Sequence, residues 1–362
     1  MQALRTHQAL ACINIQALQH NLQQVRRYAP DKKVLAVIKA NAYGHGMETV
    51  AQALANADAF AVGTMEEAQQ LRVFTQDHDI VVLQGISQAS DIRHCRDNNL
   101  QVVIHSEYQI ALIEAAEKAQ PIQCWLKVDT GMHRLGVQPD QVESILQRLE
   151  QSANVAESIM VMSHMACADE PTHIENQLQM ETFDDLEVDE HYPRSLANSA
   201  AIVSFPDAHY AWVRPGIMLY GISPVQDRPA QELELQPVMT FKSCLIAINQ
   251  LMQGDSIGYG ATWQCPEDMR VGVVGLGYGD GYPRHAPSGT PVLVNGKRVP
   301  IIGRVSMDLI TIDLRELPEA EVGDEVILWG DGLPIEEIAE AAETIAYELV
   351  CRLTSRVEYQ VI

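Results

Sequence analysis

Positive charge is scarce in this chain: 25 lysines and arginines stand against 48 acidic residues, for a net charge of −23. So acidic a surface repels DNA, RNA and anionic membranes, and this speaks against all three as partners. The acidic residues are dispersed without a long run, as on a solvated face. No apolar stretch approaches the length of a membrane span. The seven cysteines (Cys12, Cys95, Cys124, Cys167, Cys244, Cys265 and Cys351) include no CxxC pair. Neither a zinc site nor a disulfide framework is suggested, and reduced thiols in a reducing compartment are expected. His7, Gln8, Asn14 and Gln16 interrupt the N-terminal apolar residues, so no secretory pattern forms. A soluble, cytoplasmic protein is expected. A P-loop is absent, and the glycine run at 277–281 lacks the spacing and following helix of a dinucleotide fingerprint.

What remains is ample apolar material. Of 362 residues 47% are hydrophobic but only 6% aromatic, so Ala, Val, Ile and Leu dominate. That mixture suits parallel strands buried between helices, and the length suggests two domains. Apolar runs begin near Val34, Ala59, Ile80, Gln101, Ile122, Ser158, Arg194 and Tyr210, with helix-like stretches at 47–57, 65–74, 106–119, 139–151 and 172–186 between them. Eight strands alternating with helices predict a (β/α)8 barrel. A doubly wound open sheet is the competitor, but it would usually place a glycine-rich phosphate turn after its first strand. Here that strand runs into Lys39 instead. Near Gln236 the texture changes. Strands are predicted at 238–249, 269–276, 290–294, 299–302, 309–314 and 325–329, with one helix at 335–346 and a hairpin turn at Asn295-Gly296. The expected organisation is an α/β barrel over 1–235, whose first ten or so residues can pack with the second domain, and a mainly-β domain over 236–362.

The sharpest motif is Ala36-Val37-Ile38-Lys39-Ala40-Asn41-Ala42-Tyr43-Gly44-His45-Gly46. An apolar strand delivers a lysine at its C-terminal end, where barrel active sites lie. A lysine desolvated there can lose its proton and form a Schiff base with an aldehyde cofactor. A lone strand-end lysine is more often merely solvated, but the full string is far more specific. It resembles the pyridoxal-phosphate lysine motif of bacterial alanine racemases. The resemblance continues through Lys127-Val128-Asp129-Thr130-Gly131-Met132-His133-Arg134, Ser163-His164-Met165-Ala166, Asn198-Ser199-Ala200 and Val213-Arg214-Pro215-Gly216-Ile217. In the second half it includes Ile257-Gly258-Tyr259-Gly260-Ala261-Thr262, Gly277-Tyr278-Gly279-Asp280-Gly281-Tyr282 and Gly303-Arg304-Val305-Ser306-Met307-Asp308.

The resemblance implies a homodimeric racemase that interconverts L- and D-alanine through pyridoxal phosphate, supplying D-alanine for peptidoglycan. Removing a proton from one face and returning one to the other calls for two bases. The resemblance assigns Lys39 to the D-enantiomer and Tyr259, contributed by the partner subunit, to the L-enantiomer. A free tyrosine, with a pKa of about 10, is a poor base near neutrality, and His164 and Arg214 match a hydrogen-bond chain toward Tyr259. Arg214 also matches the arginine that faces the pyridine nitrogen. Tyr43, Ser199 and the amides of Gly216 and Ile217 match the phosphate cradle, while Arg134 and the Met307 amide match the substrate-carboxylate site. Lys127 matches a lysine that is carbamylated in many members. Tyr282 and Asp308 are expected at the entrance. Two departures stand out: Ser306 replaces a frequent cysteine, and Ser355 stands where some relatives place a tyrosine. A broader-specificity, serine-type racemase is the alternative. A decarboxylase of the same architecture is disfavoured by Arg214, and a non-catalytic pyridoxal-phosphate-binding protein by the second domain.

Overall fold

The computed structural model describes residues 9–362; His7 and Gln8 lie outside the described residues. The chain forms two compact units: one of Leu18–Leu235, the other of the segment up to Ala17 together with Gln236–Ile362.

In the first unit eight parallel strands follow one another around a barrel: Lys33–Val37, Ala59–Val62, Asp79–Val82, Leu100–Ile104, Cys124–Lys127, Met160–Met162, Arg194–Ser195 and Trp212–Val213. The last strand pairs with the first through Lys33↔Trp212 and Val34↔Val213. It meets the seventh through Ala211 N donating to Arg194 O (3.1 Å) and Arg214 N to Ala197 O (2.9 Å), which closes the ring. Ala59–Val62 is buried at all four positions. Covered on both faces, such strands need continuous apolar runs rather than alternation. Helix Met65–Phe74 opens on a capping box in which Thr64 Oγ1 accepts Glu67 N at 3.3 Å. The helix predicted over 47–57 ends at Ala53, and that over 106–119 ends at Ala115.

The second unit is built on the long strand Met239–Leu251, whose residues 239–245 alternate between buried and half-buried. It pairs antiparallel with Leu10–Ile13, Glu325–Trp329 and Met269–Val274. Leu10–Ile13 also pairs in parallel with Glu358–Val361. The hairpin Pro291–Val294/Lys297–Pro300 turns through Asn295 (φ 50°) and Gly296 (φ 77°). Both positive angles match the right-handed twist of the strands. The predicted helix 335–346 is two helices, Ile335–Ala341 and Ala346–Cys351, because Glu343 turns left-handed (φ 53°) between them. Among the described residues no helix is long and apolar enough to cross a membrane.

Candidate active site

Ile38 follows the first barrel strand and is fully buried, and Lys39 comes after it, exposed. The next four residues, Ala40, Asn41, Ala42 and Tyr43, all have φ between 51° and 55°. Left-handed backbone costs an L-residue roughly 1–2 kcal/mol, so such a turn persists only where its surroundings hold it. Glu67 Oε1 accepts Ala40 N at 2.6 Å, and Asn41 Oδ1 accepts Met47 N at 2.9 Å. His45 Nδ1 donates to Tyr43 O at 2.8 Å and Ala42 O at 3.2 Å. On the strand side, Tyr220 Oη donates to Val37 O at 3.2 Å.

Tyr43 turns inward and is buried. A Cβ built on Gly216 would come 2.7 Å from its hydroxyl, so a side chain there would displace the Tyr43 ring. Ser199, buried at the start of helix Ser199–Ser204, accepts Gly216 N at 2.8 Å. Asn198 caps that helix by accepting Ala201 N at 3.0 Å. Fully buried Ile217 opens the short turn Ile217–Tyr220 beside it. Tyr43, Ser199, Gly216 and Ile217 thus gather hydroxyls and backbone N–H groups at the ends of strands one, seven and eight.

Arg214 is buried without an acidic partner among the described residues. It donates instead to Ser195 Oγ (2.6 Å), Ser163 O (2.5 Å) and Leu196 O (3.1 Å), and burial lowers its pKa to about 10. Its Nη2 lies 3.4 Å from His164 Nδ1. Arginine can only donate, so His164 Nδ1 is the acceptor and Nε2 carries the proton. Burial, then the charges of Arg214, Lys127, Arg134 and Lys39, push the His164 pKa well below the usual imidazole range. Lys127 is lowered to about 8 by burial first, then by Arg214, Arg134 and Lys39, with Asp129 opposing.

Arg134 is exposed on the loop after strand five. Asp129 shapes that loop by accepting Gly131 N (3.1 Å) and His133 N (3.0 Å). Gly136 closes it, since a Cβ there would meet Asp129 N at 2.4 Å. Fully buried Gln179 ties this loop to the next: its Oε1 accepts Ala166 N (2.8 Å), and its Nε2 donates to His164 O (3.0 Å) and Thr130 Oγ1 (3.4 Å).

In the second unit Tyr259 is 68% exposed on the turn Tyr259–Ala261, flanked by Gly258 (φ 70°) and Gly260 (φ 77°). Met307 is 52% exposed. Exposed Asp308 accepts Arg356 Nη2 at 2.7 Å, and Arg356 Nε also meets the buried Asp280 at 3.2 Å. The glycine run packs directly on this segment: Gly279 N donates to Met307 O at 2.8 Å, and a Cβ on Gly277 would meet Ser306 O at 2.3 Å. Tyr282 corrects an expectation. It is 1% exposed, stacked on Trp329 with ring centroids 5.9 Å apart, so burial removes it from any entrance surface of this unit. Tyr278 is the half-buried tyrosine of the run. Ser306 is half-buried and Ser355 exposed.

Sequence reasoning missed Glu67, Gln179, Ser195 and Tyr220. Only Glu67 carried a local signal, the Thr64-x-x-Glu67 capping pattern. The others bond backbone groups that become neighbours only in the fold.

The family models for the alanine racemase N-terminal and C-terminal domains match residues 13–224 and 238–361. The alanine racemase of Vibrio parahaemolyticus is 50% identical over 97% of this chain and 98% of its own. The biosynthetic alanine racemase of Pseudomonas aeruginosa superposes with a TM-score of 0.94 at 44% identity, over 98% of this chain and 99% of its own. That of Bartonella henselae, solved with covalently bound pyridoxal phosphate, gives a TM-score of 0.88 at 26% identity, over 98% and 99%.

Proposed function

The chain belongs to the alanine racemase family, and from that premise we propose that it interconverts L- and D-alanine with pyridoxal phosphate held at Lys39. The residues present fit that group: an amine at a strand end, the hydroxyls of Tyr43 and Ser199, and the backbone amides of Gly216 and Ile217. Backbone N–H groups so gathered favour an anion, so Tyr43, Ser199, Gly216 and Ile217 would hold the phosphate. When bound, the cofactor supplies an aldehyde for the amine and a ring that accepts carbanion charge.

The chain's own residues do the rest. Lys39 takes or returns the α-proton on one face, and Tyr259 of the partner subunit does so on the other. His164, neutral and held beside Arg214, would donate its Nε2–H to the partner's Tyr259. Arg134 and the Met307 amide bind the substrate carboxylate, for which a planar guanidinium is suited. Asp308 stands at the entrance. Arg214 carries the reading, because a buried cation without an acid partner cannot protonate a pyridine nitrogen as a carboxylic acid would. Facing that nitrogen, it would leave the ring a modest electron sink, which suits a racemase rather than a decarboxylase.

Lys127, pressed by three cations, would be carbamylated, turning repulsion of Arg134 into attraction. An amine lowered to about 8 keeps a neutral, nucleophilic fraction near neutrality. We place the enzyme in the cytoplasm as a homodimer, with the unit Leu18–Leu235 holding the cofactor and the unit that includes Gln236–Ile362 serving the partner's site. A spectrum with pyridoxal phosphate followed by a chiral assay over alanine, serine and larger amino acids tests the reading. Visible absorption, lost in Lys39→Ala, together with preferential racemisation of alanine is expected. Wild-type protein that neither absorbs nor racemises alanine would contradict it.

A further inference from the structure

His45 belongs to the lysine motif, but the mechanism above gives it no task. It is 1% exposed, and its Nδ1 faces two carbonyls, Tyr43 O at 2.8 Å and Ala42 O at 3.2 Å. Carbonyls only accept, so Nδ1 must carry the proton and Nε2 must be bare. Nε2 finds no partner among the described residues. The ring stacks on Tyr220 at 4.5 Å, and Tyr220 in turn packs on Tyr43 at 5.0 Å. Tyr220 Oη reaches back to Val37 O, two residues before Lys39. One imidazole and one phenol therefore grip both sides of the turn that carries Lys39 and Tyr43.

We propose that His45 is a positioning residue: its neutral Nδ1–H tautomer holds the left-handed turn Ala40–Tyr43, and through that turn sets the places of the Lys39 amine and the Tyr43 hydroxyl. The proposal rests on the reading of Lys39 and Tyr43 as cofactor residues. Its physical basis is the cost of that turn. Four consecutive residues with side chains occupy backbone that disfavours them. Backbone N–H groups already reach three of the four carbonyls: Gly44 N donates to Ala40 O (3.0 Å), Gly46 N to Asn41 O (3.1 Å) and His45 N to Ala42 O (3.0 Å), which leaves buried Tyr43 O to the imidazole. Burial also lowers the imidazole pKa to about 4, which keeps the ring neutral under ordinary conditions.

Two substitutions separate positioning from general packing. The amide nitrogen of His45→Asn stands near where Nδ1 stood, whereas His45→Gln carries its amide farther out, near Nε2. Each variant and the wild type would be stripped of cofactor and titrated with pyridoxal phosphate by visible absorption, and the stripped proteins would be melted. His45→Asn should bind within about threefold of wild type, and His45→Gln about tenfold more weakly, the scale of one buried hydrogen bond. Equal weakening in both variants, or wild-type affinity in His45→Gln, would overturn the proposal. Should a variant not fold, ¹⁵N spectra of the intact wild-type histidines decide. A proton on Nδ1 and a bare Nε2 at neutral pH are expected, and the opposite tautomer refutes the assignment. Failure of the underlying cofactor reading looks different, because wild type itself would then bind no pyridoxal phosphate, or Lys39→Ala would bind it unchanged.

Discussion

Lys39, Lys127, Arg134 and Arg214 crowd the ends of a few barrel strands, and burial first, then their mutual repulsion, lowers the pKa values of Lys127 and His164. Lys127 is the most exposed to this. Below about pH 8 both folded and unfolded chains hold its proton, and the folded chain bears the repulsion. Between about 8 and the ordinary 10.5, only the unfolded chain keeps it. Stability of the unmodified protein should therefore rise with pH across that window. Denaturant unfolding in carbonate-free buffer checks this, and adding bicarbonate at pH 8 should stabilise the wild type but not Lys127→Ala. Equal stability with and without bicarbonate would remove the carbamate. His164 and His45 act with the same sign in a more acidic window. Both imidazole pKa values are lowered in the fold, so the unfolded chain takes up protons first as pH falls below 6.5. Stability should fall from there toward about pH 4, less steeply in His164→Asn. An unchanged slope in that variant would mean that His164 titrates normally.

Among the elements, the left-handed turn and the glycine that faces it constrain each other. Gly216→Ala would push a methyl into the Tyr43 hydroxyl. It should weaken pyridoxal phosphate binding, read by absorbance titration, more than it lowers the melting temperature; wild-type affinity would contradict the packing. Asn198→Ala removes the cap of helix Ser199–Ser204 and should cost about 1 kcal/mol in denaturant unfolding. The barrel strands were legible in the sequence because burial on both faces writes each as an apolar run, and Asn295-Gly296 announced its own hairpin. Leu10–Ile13, Glu358–Val361 and helix Ile15–Tyr28 were not read, since short strands show little period and pair with distant partners. The break at Glu343 carries no glycine or proline to signal it. Nothing local marks Ala40–Ala42 as left-handed, since none of the three is glycine and only Asn41 tolerates that backbone readily. The lysine motif could be read as a string, whereas the bonds from Glu67 Oε1 to Ala40 N and from His45 to Tyr43 O that support it could not.

At the scale of the whole molecule, the account divides one site between two chains. Lys39, His164 and Arg214 belong to the barrel unit, and Tyr259 stands exposed on a turn of the other unit. Dimers with shared sites predict that two defective subunits can repair each other. The decisive measurement is racemase activity of Lys39→Ala and Tyr259→Ala chains coexpressed and purified together. Random pairing makes half the dimers mixed, each with one intact site of two, so about a quarter of wild-type activity is expected. Activity no higher than that of either variant alone would show that each chain completes its own site, and the shared-site account would fail.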